Sequence, residues 1–138
     1  MRTLCLMLAV LACGCGASYR PVQEASFDRL IDQGCKSKSD RFSLTAQVNS
    51  AARDTIVLWD GRDGSRTLAI RLPDQGITSR TKGVFGKSRY ELGVETLERL
   101  RASGTPVTFA MSCEGKGKAP VADRFSYEEN GQRVEFEF

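Results

Sequence analysis

Five cysteines and no histidine bound the chemistry open to this 138-residue chain. Without an imidazole there is no Ser-His or Cys-His nucleophile, no near-neutral general base and none of the commonest metal ligand. Paired carboxylates, as used in glycoside hydrolysis, need no histidine, but the 17 Asp and Glu residues are scattered evenly and no pair stands out. Asp60, Asp63 and Asp74 lie near glycines, yet Asp60-Gly61-Arg62-Asp63-Gly64 places a cation in its middle. A calcium loop needs oxygens at alternate positions and a distal carboxylate, so a hairpin turn accounts for the run better. Gly115-Lys116-Gly117-Lys118 lacks the spacing and the Ser or Thr of a phosphate loop and reads as a solvated turn. The residues predict no enzyme, no metal and no cofactor.

One stretch stands out as a surface. Arg80, Lys82, Lys87 and Arg89 put four cations in ten residues, interleaved with Phe85 and Tyr90 as anchors. Such a segment suits an anionic partner: a phospholipid headgroup, an anionic glycan or an acidic protein. The same pattern serves equally as a solvated edge strand that uses its cations against aggregation. Trp59, beside Asp60, is either an interface anchor or a core aromatic, and the basic loop Glu114 to Pro120 is a lesser contact. The net charge of +3 is too mild to argue nucleic acid.

The elements that must position these residues begin after a leader. Met1-Arg2-Thr3 is a short cationic start and Leu4 to Ala12 an unbroken apolar run, too short to cross a bilayer core that needs about 20 helical residues. Val10-Leu11-Ala12-Cys13 resembles the lipobox of bacterial lipoproteins. That resemblance implies cleavage before Cys13, lipid on its thiol and new amino group, and, with Gly14 following rather than Asp, an outer-membrane anchor facing the periplasm. Cys15 is the second lipidation candidate. An ordinary secretory signal is the alternative, and either way the mature chain leaves the cytoplasm. The resulting division is a leader over 1–12, a lipidated tether over 13–25 and a single domain over 26–138.

Cys35 and Cys113 fall in the folded part and in an oxidising compartment, which makes them a disulfide pair; two separate buried thiols are the alternative. Ser26 caps a short helix with Phe27, Leu30 and Ile31 on one face, stopped at Gly34. Alternation predicts strands at Phe42 to Val48, Thr55 to Trp59 and Leu68 to Leu72, joined by short turns as an antiparallel meander. Val94, Leu97 and Leu100 mark a helix of about ten residues ending at Gly104. Val107, Phe109, Met111 and Cys113 alternate on one strand face, which puts the cysteine toward the core. Phe125 and Tyr127 lead to Asn130-Gly131, the preferred pair for a two-residue hairpin, and Val134, Phe136 and Phe138 alternate beyond it.

The predicted fold class is therefore α+β: a mainly antiparallel sheet of about five to seven strands with two short helices and one disulfide. In organisation the chain is similar to lysozyme-inhibitor and effector-immunity lipoproteins, which also join a lipid leader to a small, disulfide-bridged, β-rich domain. That resemblance implies a non-catalytic inhibitor or immunity-type protein that captures an envelope-attacking protein. Gly86-Lys87-Ser88-Arg89-Tyr90 shares residues with the Ser-Gly-x-x-Tyr segment of one inhibitor family but not their order, and a basic domain is poorly suited to cationic lysozyme. The other expectation is a structural or assembly lipoprotein of the envelope or a secretion complex. Both give the chain a membrane through its lipid and a protein partner.

Overall fold

The structure, a computed structural model, describes residues 23–52, 54–61, 66–73 and 88–138. In chain order the elements are β1 (Gln23–Glu24), α1 (Phe27–Gln33), β2 (Arg41–Ala51), β3 (Thr55–Trp59), β4 (Thr67–Arg71), α2 (Arg89–Ser103), β5 (Val107–Ser112), β6 (Val121–Glu129) and β7 (Gln132–Glu137). The predicted class is the observed one, a mainly antiparallel sheet with two helices and one disulfide.

The meander β2-β3-β4 forms as its alternation requires, with a register shift between Val48 and Ser50 that bends the long β2. That bend lets β2 pair along its first half with β5, Arg41 to Ser112 through Ala46 to Val107. β5 pairs β6, and β6 meets β4 in parallel at Arg71 and Val121, where Arg71 N–H donates to the Pro120 carbonyl at 2.8 Å. The path β2-β3-β4-β6-β5 thus returns to β2 and closes a ring of five strands. With α2 inserted between β4 and β5, this is the connectivity of an OB-type Greek-key barrel. β7 adds to β6 through a tight hairpin whose Asn130 and Gly131 both have positive φ, 53° and 75°, which is why that pair suits the turn.

One face of each of the five ring strands fills the barrel. Ile56, Leu58, Ile70, Val107 and Phe109 are fully enclosed, and Phe109 and Phe125 meet with ring centroids 6.1 Å apart. Burying side chains of this size stabilises by about 1.5–3 kcal/mol each. Helix α2 packs against β2 with Tyr90, Leu97 and Leu100 buried. It starts five residues before the apolar pattern predicts, because Ser88 and Glu91 form a reciprocal capping box, and it ends at Gly104 in the left-handed conformation.

The folded unit also begins earlier than its predicted boundary. Gln23 and Glu24 pair in parallel with Phe42 and Ser43, and Ala25 is buried, so these three residues belong to the domain rather than to a tether. Helix α1 has the predicted caps, Ser26 and Gly34, and its end is fastened by the Cys35–Cys113 disulfide. The bridge closes a separation of 78 residues, for which the chain-entropy account gives about 4–5 kcal/mol before strain.

Candidate binding surface

Of the residues singled out by sequence, Arg80, Lys82, Phe85 and Lys87 lie outside the described residues, as do Asp63 and Asp74. Arg89 opens α2, donates from Nε to the Glu137 carbonyl at 2.6 Å and sits over the Phe136 ring at 5.6 Å. Tyr90 is 7% exposed and packs against Phe138, so its ring serves the core and is not offered to a partner. Trp59 alternates with the enclosed Leu58 and therefore points outward, half-buried, paired across the sheet with Gln47 and Thr67. No group of three metal-ligating side chains occurs among the described residues. The Glu114 to Pro120 loop is tied down rather than loose: Gly117 N–H donates to the Cys35 carbonyl at 2.9 Å.

A surface that the sequence pattern did not assemble lies on the outside of β2, β5, β6 and β7. Strand pairing sets two rows across it, Thr45-Thr108-Ser126-Glu135 and Ser43-Ala110-Arg124-Glu137. Their chain neighbours Phe42, Leu44, Phe109 and Phe125 point inward, so the rows face out. The floor is made of small side chains, and Thr45 and Thr108 hold each other through their hydroxyls at 2.8 Å. The long side chains of the β6–β7 hairpin form one wall.

The result is a groove of two overlapping recesses, about 310 and 300 Å³, which share Thr108, Ser126 and Arg133. Its charge is mixed. Arg124 pairs with Glu135 at 3.2 Å, and the exposed Arg133 has no ion-pair partner among the described residues. At one end Ser112 Oγ donates to Asp123 Oδ1 at 3.0 Å. Burial pushes the Asp123 carboxyl above the usual carboxylate range, against the opposing pull of that hydrogen bond and of Arg41 and Arg124.

The floor residues Ser43, Thr45, Thr108 and Ala110 were visible in the sequence as the outward half of alternating strands. What the sequence lacked was the adjacency of β2 and β5, whose facing residues Thr45 and Thr108 lie 63 positions apart. Arranged so, the groove can accept hydrogen bonds and ion pairs of both signs on a stiff floor. No family model, curated protein or solved structure matches the chain.

Proposed function

We propose that this chain is a lipid-anchored, periplasm-facing, non-catalytic binding protein that grips a protein partner along the groove of β2, β5, β6 and β7. Its role in this reading is to neutralise an envelope-attacking protein. The observation that carries the reading is the groove itself: an outward floor of Ser43, Thr45, Thr108 and Ser126, with Arg124, Glu135 and the exposed Arg133 along its wall. Small hydroxyl side chains lose little freedom on contact, and charges of both signs select a complementary surface more than they add raw affinity. The disulfide supports the location, since such bridges persist outside the cytoplasm. The Val10-Leu11-Ala12-Cys13 leader supports the anchor.

Arg124→Glu with Arg133→Glu tests the reading. Capture of a stoichiometric partner from secreted and envelope fractions is expected to weaken at least tenfold. The melting temperature should stay nearly unchanged, because the Arg124–Glu135 pair is half-exposed and such pairs contribute under about 1 kcal/mol. Undiminished capture by the double variant contradicts the groove, and recovery of a resident envelope complex in place of a secreted protein assigns an assembly role.

A further inference from the structure

The end of the barrel that holds the disulfide carries a cluster of cations among the described residues. Lys36 and Lys38 lie in the loop that follows Cys35, and Lys116 and Lys118 in the loop that follows Cys113. The bridge holds the two loops together at a Cα separation of 5.7 Å, reinforced by Gly117 N–H to the Cys35 carbonyl and Cys113 N–H to the Asp40 carbonyl at 3.2 Å. Arg41, at the start of β2, reaches the Lys38 and Asp40 carbonyls with its guanidinium. All five side chains belong to exposed residues, and none forms an ion pair among the described residues.

The acidic groups nearby are engaged. The Asp40 carboxylate accepts from Lys36 N–H, Ser37 N–H and the Ser37 hydroxyl, Glu114 is bridged to Arg71 at 2.7 Å, and Asp123 accepts from Ser112. Asp40 and Asp123 keep their charge, since their donors are neutral, but five cations from two distant parts of the chain share the pole with them and the balance is positive. A helix of sequence neighbours would solvate such charges separately; here a disulfide gathers them.

The position of that pole gives the charge a partner. β1 runs parallel to β2 with Gln23 beside Phe42, so its N-terminal end lies at the Arg41 end of the barrel. The segment that would carry lipid at Cys13 joins the domain there, ten residues ahead of Gln23. Even fully extended it reaches only about 35 Å. The opposite pole is as far away again, since the 11 residues of β2 span about 35 Å.

We infer that the pole formed by Lys36, Lys38, Arg41, Lys116 and Lys118 docks on a bilayer surface of anionic phospholipid and fixes the domain's orientation on the membrane. The inference deepens the lipid-anchored reading and rests on it for the source of the anionic surface. Each lysine close to such a surface strengthens attachment about fivefold, and the effect is confined to about 10 Å by salt. Contacts this weak matter because the anchor already holds the domain at high local concentration.

The test uses the mature chain from Gly14 onward, secreted through a cleavable leader so that the disulfide forms, without lipid, and checked for folding by circular dichroism. It should sediment at low salt with vesicles of phosphatidylglycerol and phosphatidylethanolamine, and lose that attachment on phosphatidylcholine vesicles or at high salt. Replacing all four lysines with glutamine should lower partition by about two to three orders of magnitude. Arg101→Gln, on α2 toward the Ala51 end of β2, should leave it unchanged.

Equal partition of wild type and quadruple variant, equal partition onto phosphatidylcholine, or no partition of the wild type overturns the inference. Retention on an acidic polypeptide matrix without vesicle binding would overturn it as well, by giving the pole a protein partner. Lipid labelling of Cys13→Ser in cells tests the anchor independently. Lost labelling with failed vesicle binding would leave the anchor standing and the docking pole refuted.

Discussion

Gly93 shows how little room α2 has above the sheet. A Cβ built there would come within 2.6 Å of Phe138 and 2.8 Å of Phe136, whose rings both pack against Phe125. Gly93→Ala is therefore expected to lower stability by about 1–3 kcal/mol, through overpacking rather than lost contact. A thermal or urea midpoint equal to the wild type would contradict the packing of the helix on β7. Asp40 makes a different prediction at the same scale. Hydrogen bonds, first from Ser37 N–H, hold its carboxyl below the usual range. A depressed carboxylate pKa stabilises above the unfolded value near 4 and loses that contribution as pH falls through the folded one. Asp40→Asn should thus be less stable than wild type at neutral pH, and the gap should close as pH drops below about 4. A gap independent of pH would assign the effect to shape alone. Residue roles set by local geometry were legible in this way: Ser26, Gly34 and the Asn130-Gly131 pair all do what their types imply. Tyr90 was not, because its partner Phe138 lies nearly fifty residues away and no local pattern marks the ring as buried.

Among the elements, α1 is the one that depends most on something outside itself. Seven residues cannot hold a helix in water, and its stability comes from burying Phe27 and Leu30 and from the bridge at Cys35. Exchanging both Cys35 and Cys113 for alanine should cost about 2–5 kcal/mol, read as a lower midpoint in denaturant. The same change should loosen the loop that carries Lys116 and Lys118, seen as faster amide exchange at Gly117, whose N–H now bonds to Cys35. Unchanged exchange there would mean that the loop holds itself. The meander β2-β3-β4 was legible because each turn is short and each strand alternates. The β2–β5 and β4–β6 pairings, which turn the sheet into a barrel, were not, since period-two alternation tells which side faces the core but not which strand lies alongside. The early start of α2 left a signal in Ser88 and Glu91, a Ser-x-x-Glu box set in a stretch with little apolar periodicity.

At the scale of the whole molecule, the proposed function and the proposed membrane contact fall on two separate surfaces of the barrel. The disulfide pole is cationic and adjoins the N-terminal strand, while the groove runs along the outer face between that pole and the β6–β7 hairpin. A domain held by one end can present its side to a soluble partner, which is the arrangement a membrane-bound inhibitor needs. The most direct measurement of that claim is site-specific photo-cross-linking in living cells. A benzophenone amino acid would replace Ala110 on the groove floor, Arg133 on its wall or Ala102 on α2. One discrete adduct is expected from positions 110 and 133, identifiable by mass spectrometry as a single protein that attacks the envelope, and no such adduct from position 102. An adduct formed equally from position 102, or none from either groove position while the partner is present, would contradict it.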